Sequence, residues 1–262
     1  LRSQQYDSTA ELALKRATSF YDSITTPRNK KWHGLRSGNP ELNKVHSVRE
    51  WYDKATDVLF AKRYGPRSGY PGQRQQQIHS LWAFGNAPMF VDMHGQHLRY
   101  KSVHLSEVYW QESFTGLIDT IYREIKMTSR QMVQQFGEDA VPESIRDAKE
   151  KGKRYCVIHT IEPNADSDPD SLDPLKRSFI SYYILVENEE AILESTGYKN
   201  FPYAISRDVQ AVGEVYARSI SMAMLPTAKM LNQMKKTDIA ASHQAIRPVI
   251  LMKDDGAVQV PT

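Results

Sequence analysis

Apolar positions recur at helical spacing over residues 8–25, where Leu12, Ala13, Ala17, Phe20 and Ile24 mark one face of a predicted helix. Ser8 and Thr9 offer N-caps, and Glu11 stands three residues after Ser8. Pro27 disfavours helix at Thr26 and closes the segment. A second helix is predicted from about Val45 to Arg63, with Val48, Trp51, Tyr52, Ala55, Leu59 and Phe60 on one side. Gly65 to Gly72 reads as a loop by its glycine and proline content, and a third helix follows from about Gln73 to Phe84.

From Ala87 to Lys126 the period changes to two. Met89, Val91 and Met93 alternate up to a turn at His94-Gly95, and Val108–Trp110 and Leu117–Tyr122 flank Gly116 as a hairpin. Thr128 or Ser129 can cap a helix over Arg130–Phe136 that stops at Gly137, and Pro142 suits the first turn of another reaching about Lys151. Strands return at Tyr155–Glu162, Phe179–Val186 and, after a turn at Asn188-Glu189, Ala191–Glu194. Gly213 to Ile246 reads as helical, with Pro226 separating a short helix from a long one of about 31 Å. On the long one, Met230, Met234, Ala241 and Ala245 form a stripe, and Ala240-Ala241-Ser242 would let a neighbouring helix approach closely. The fold class is α+β.

The chain has 262 residues, 40% hydrophobic and 25% charged, enough to bury a core. Its net charge of +3 hides an asymmetry: residues 1–105 carry +8 and residues 106–262 carry −5. Neither half is basic enough to announce a nucleic-acid-reading domain. No run approaches eighteen apolar residues, so no membrane span is expected, and no signal-peptide pattern opens the chain. The start at Leu1 suggests a piece of a longer protein.

Candidate chemistry is sparse. A single cysteine, Cys156, excludes an internal disulfide and any CxxC site. Cys156 and His159 are three apart in a strand and face opposite sides, so Cys156 reads as a buried strand cysteine. Asp166, Asp168 and Asp170 resemble the start of a calcium loop, but Pro169, Ser171 and Arg177 break it, leaving a solvated acidic loop. His94, His97 and His104 lack a fourth ligand fixed by spacing. The Gly65–Gly72 loop lacks the Gly-Lys-Ser/Thr ending that grips a nucleotide phosphate. No catalytic residue, metal or cofactor is assigned, and the protein is not expected to be an enzyme.

One run carries more information: Gly197-Tyr198-Lys199-Asn200-Phe201-Pro202, then Arg207, Gly213-Glu214-Val215-Tyr216-Ala217-Arg218, Leu225-Pro226 and Leu231-Asn232. It resembles the portal, or head-to-tail connecting, proteins of short-tailed bacteriophages, with Ala217 and Ser219 at two positions usually glycine and Arg247-Pro248 at a usual Pro-Pro. Thr26-Pro27 with Trp32 and Leu35, and Leu105–Trp110 followed by Met127–Gln131, extend the likeness in the same order along almost the whole chain.

The resemblance implies a ring, typically of twelve copies, at one capsid vertex. Viral double-stranded DNA is packaged and ejected through its channel, and terminase, tail adaptor, major capsid and scaffold proteins contact it. It implies a virion location, with host cytoplasm during assembly, and no membrane. Mapped onto this chain, the family architecture places a wing at 1–127, a first stem helix region at 128–152, a clip at 153–208 and a second stem helix at 209–247. Residues 248–262 would begin the tunnel-loop and wing return, with no C-terminal crown present. The second stem helix is expected to pack on its stem partner and a neighbouring subunit through Met230, Met234, Ala241 and Ala245. Lys229, Lys235, Lys236 and His243 are candidates for sparse channel contacts with DNA, while the clip (residues 156–205, balance −6) would form an acidic collar. The alternatives are another non-catalytic virion adaptor or scaffold protein and, behind it, a nucleic-acid-processing enzyme.

Overall fold

A computed structural model describes residues 5–95, 97–146, 152–186 and 191–247. Three helices open the chain: α1 (Thr9–Thr25), α2 (His46–Arg63) and α3 (Tyr70–Phe84). Strands β1 (Asn86–His94) and β2 (His97–Ser102) form a hairpin, and β3 (Val108–Glu112) and β4 (Ile118–Thr128) form another. Short helices α4 (Ser129–Phe136) and α5 (Glu143–Arg146) follow, then β5 (Arg154–Pro163), β6 (Phe179–Leu185), β7 (Ile192–Tyr198), β8 (Tyr203–Arg207) and the long helix α6 (Ile220–Ile246). The α+β expectation holds.

Among the described residues every strand pairing is antiparallel, in two sheets. The order β3-β4-β5-β6-β7 makes one, and β2-β1-β8 makes the other, with β8 returning over more than a hundred residues to pair with β1. The larger sheet draws β3 and β4 from residues assigned to a wing and β5 to β7 from residues assigned to a clip. Alternation along β5 buries Tyr155, Val157, His159 and Ile161 on one face. Tyr155 and Val157 join Met132 and Ile145 under α4 and α5. Ile161 joins Phe90, Trp110 and Tyr203 in a core shared by the two sheets. Thr128 closes the predicted cap on α4: its hydroxyl accepts from the Gln131 N–H, and the Gln131 side chain accepts from the Thr128 N–H.

Several expectations need correction. Helix α3 starts at Tyr70, three residues before the predicted boundary. Gly69, at φ 67°, turns the chain, and Pro71 sits in the first turn, where its missing N–H costs nothing. Residues 213–219 are not helical: Val209 and Arg218 bridge instead, and α6 then runs unbroken through Pro226. Proline removes one bond, to the Met222 carbonyl, and a long helix tolerates that loss near its start. Ser8 occupies the N-cap position of α1 but its side chain makes no capping bond. Helix α1 also turns its apolar residues outward, with Leu12, Phe20 and Ile24 exposed. Its buried residue is Thr18, whose hydroxyl donates to the Leu14 carbonyl and so needs no water. Helix α2 behaves alike, burying Thr56, which accepts from the Leu35 N–H, while Trp51 faces solvent. Cys156 is half-buried, on the face opposite His159. The predicted turn at Asn188-Glu189, the predicted helix beyond Arg146 and the segment 248–262 lie outside the described residues.

Candidate functional site: the root and faces of the long helix

The motif residues singled out above converge at the root of α6. Asn86, fully buried at the start of β1, donates to the Ala217 carbonyl (2.8 Å) and accepts from the Ala217 N–H (2.9 Å). Ser219 caps the helix, accepting from the Met222 N–H at 3.1 Å and donating to the Ala83 carbonyl at 2.8 Å. Gly85 lies beneath with φ 76°, and a Cβ there would come within 2.6 Å of the Arg218 backbone. The helix is thereby fixed to the corner between α3 and β1.

The rest of the motif braces this corner. Arg207 pairs with Glu112 of β3 and donates to the Val215 carbonyl at 3.1 Å. The Tyr216 ring packs on Trp110 with centroids 4.4 Å apart. Arg218 pairs with Glu214 on the surface. At the other end of the run, Arg177 donates to the Gly197 carbonyl at 2.8 Å, and a Cβ on Gly197 would stand 2.3 Å from the Pro174 carbonyl oxygen. The residues that carry the family resemblance thus tie the two sheets to one another and to α6.

Beyond its root α6 is lightly held. No residue of it is fully buried, and among the described residues its main contacts are with α3 and the N-terminal segment. The Asn232 side-chain oxygen accepts from the Tyr6 and Asp7 N–H groups at 2.7 and 3.1 Å, and the Lys236 ammonium lies 5.9 Å over the Tyr6 ring. The half-buried positions Ser221, Ala228, Leu231 and Asn232 define the side facing the body. From residue 233 to 246 every position is exposed, a length of about 21 Å.

At about 100° per residue the candidate residues sort into faces. Met230, Met234, Ala241 and Ala245 fall within about 60° of one another, roughly opposite the body-facing side. Met230 and Met234 are 60% and 57% exposed, so among the described residues the stripe has no covering partner. Lys229, Lys236 and His243, seven apart, share a second face. Lys235 stands away from it and lies 4.0 Å from Asp238. The structure therefore groups three of the four predicted cationic positions and separates the fourth.

The acidic segment forms an exposed, ordered loop between β5 and β6. Asn164 donates to the carbonyls of Leu175 and Arg177 (2.8 and 2.9 Å), and the Asp168 N–H donates to the Lys176 carbonyl at 2.8 Å. Asp168 and Asp173 each accept from a nearby backbone N–H group through Oδ1, which helps to shape the loop. Among the described residues, no three His, Cys, Asp or Glu side chains are placed to hold a metal ion. His97 contacts Arg67 at 3.1 Å, and His104 caps a short turn by accepting from the Ser106 N–H at 3.2 Å.

Sequence reasoning missed His159 as a core residue. It is fully buried between the sheets, stacked flat on Tyr183 at 4.0 Å and hydrogen-bonded through Nε2 to Ser181 at 2.9 Å. Burial, and secondarily the nearby Arg123 guanidinium, pushes its pKa down to about 3, so it is neutral. Its place in an alternating strand was the available signal. The anchor Asn86 carried none, because its partner lies 131 residues away.

Comparison with known proteins gives the same direction. The model of the family described as bacteriophage head to tail connecting protein matches residues 2–261. The chain is 28% identical over 238 residues to the probable portal protein of Bordetella phage BPP-1, covering 86% of this chain and 41% of that protein. It is 27% identical over 251 residues to the portal protein of Salmonella phage epsilon15, covering 92% and 44% respectively. The chain thus spans less than half the length of these curated relatives.

Proposed function

The chain belongs to the bacteriophage head-to-tail connecting protein family, and on that premise we propose that it builds a portal ring at one capsid vertex, the conduit for packaging and ejecting viral double-stranded DNA. The observation that carries this reading is the outward Met230–Met234–Ala241–Ala245 stripe on a helix anchored at its root and, among the described residues, exposed over 233–246. Exposed apolar stripes of this kind mark an association surface, and small residues at 241 and 245 suit close helix approach. In a ring, each α6 would cover the stripe of a neighbour.

The division into wing, first stem region, clip and second stem helix is part of this proposal. Within it, the described residues of 128–152 supply α4 and α5, and α6 supplies the second stem helix. Lys229, Lys236 and His243 would line one face toward the channel, Lys236 exchanging its contact with the Tyr6 ring for transient phosphate contacts. Sparse contacts suit a conduit, since each neutralised phosphate adds affinity that slows sliding. We assign Lys235 instead to the protein surface, beside Asp238. The ring, a dodecamer in this reading, would be non-catalytic and would offer surfaces to terminase, tail adaptor, major capsid and scaffold proteins.

The test is the particle mass of the assembled protein, wild type against Met230→Glu with Met234→Glu. The wild type should sediment as a large ring. The double variant should remain folded, because both positions are exposed, yet fail to assemble. Assembly unchanged by two buried charges would overturn the placement of α6 in the interface.

A further inference from the structure

Helix α2 and the β1–β2 hairpin leave an open groove between them. Trp51 and Val58 line its helix side, and Met93 and Leu98 its strand side. Trp51, Val58 and Met93 are 64%, 59% and 58% exposed, so a contiguous apolar floor faces solvent. Trp51, Lys54, Ala55, Val58 and Lys62 follow i, i+3, i+4, i+7, i+11 spacing and hold one helix face. Every charged residue lining the groove is cationic: Lys54 and Lys62, and Arg67 where it continues along Val58 and Lys62. Lys54 is paired with Glu50 one turn back at 2.7 Å, an exposed contact of the kind that exchanges partners at little cost.

The complement lies on the same chain. The 163–173 loop holds Asp166, Asp168, Asp170 and Asp173 and one large apolar side chain, Leu172, which is 98% exposed. Hydrogen bonds from Asn164 and Asp168 fix the loop in shape, so little ordering is left for binding. Its own groove stays uncovered, since Leu172 and Trp51 are both in solvent.

We propose that the groove receives the 163–173 loop of a second copy of the chain, Leu172 entering the apolar floor between Trp51 and Val58 while Asp170 and Asp173 face Lys54 and Lys62. Charge complementarity selects this occupant: the groove belongs to the half carrying +8 and the loop to the half carrying −5. Groove and loop are different patches, so the contact is heterologous, the kind that a closed ring of more than two copies requires. The inference therefore rests on the ring reading, and names one contact within it.

The experiment pairs two single-cysteine variants of the full protein, Val58→Cys and Leu172→Cys, each with Cys156→Ser, co-assembled and oxidised, with rings scored separately by electron microscopy. The expected result is a reducible species of twice the subunit mass that needs both variants. Adding Lys54→Glu and Lys62→Glu should lower its yield roughly fivefold. Intact rings with no mixed cross-link overturn the groove assignment and leave the ring reading standing. A cross-link from Val58→Cys to a different virion protein gives the groove another occupant and also overturns it. Monomers without rings remove both.

Discussion

Asn86 and Ala217 exchange two hydrogen bonds across 131 residues of sequence, the amide of one side chain satisfying both backbone groups of the other residue. This contact sets where α6 leaves the body. Removing the amide strands a buried N–H and a buried carbonyl, each costing about 1–3 kcal/mol. Asn86→Ala should therefore lower unfolding free energy by about 2–4 kcal/mol in denaturant titration. A change below about 0.5 kcal/mol, the size of an ordinary surface substitution, would contradict the anchoring role.

Gly197→Ala should be destabilising by at least about 2 kcal/mol, because the new methyl meets the Pro174 carbonyl oxygen, backbone that cannot rotate away. Gly72→Ala is the control, since nothing lies within 4 Å of its Cβ position. Thermal denaturation of the two variants side by side separates close approach from a general penalty on glycine replacement.

His159 predicts a pH dependence with a definite sign. Its folded pKa of about 3 lies below the usual 6.5, so between those values the unfolded chain binds a proton that the folded one does not. Its contribution to stability is thus intact above about pH 6.5 and is lost as pH falls, by up to about 1.4 kcal/mol per pH unit. His159→Gln should flatten the difference between pH 7 and pH 5 relative to wild type, measured by chemical denaturation. Identical slopes for the two proteins would contradict burial of the neutral ring.

Much of the fold was legible because the signals are local. Gly137 ends α4 and Thr128 begins it, and alternation around Gly116 marks a hairpin, all within a few residues of the features they predict. Burial was less legible. The apolar faces of α1 and α2 pointed to a core, yet Leu12, Phe20 and Trp51 are exposed while Thr18 and Thr56 are buried. Helical periodicity reports that a face is apolar, not what covers it. Threonine, meanwhile, hides a hydroxyl by bonding to its own helix. The long-range closure was invisible for a different reason: β8 pairs with β1, and Asn86 meets Ala217, through contacts that leave no spacing pattern. For the site, the Met230–Ala245 stripe was legible from helical spacing. That Lys235 stands apart from Lys229, Lys236 and His243 follows from the same spacing once Asp238 is in place beside it.

Charge reversal separates the two groups of cations on α6. Lys229→Glu with Lys236→Glu should weaken retention of DNA by the ring at low salt and flatten its salt dependence, removing up to two phosphate contacts per subunit. Lys235→Glu should leave retention near wild type. Equal effects from both variants would contradict the assignment of one channel-facing stripe.

The central claim is that copies of this chain form a ring in which each α6 packs against the stripe of the next subunit. Electron microscopy of the purified protein tests it most directly, with Ala241→Trp as the paired sample. Wild type should show rings with a central hole, while Ala241→Trp, exposed in the single chain and overpacked by about 1–3 kcal/mol at each tight contact, should show few or none and keep its melting temperature as a monomer. Wild-type protein that stays monomeric at every concentration, or Ala241→Trp rings as abundant as wild type, would contradict the account.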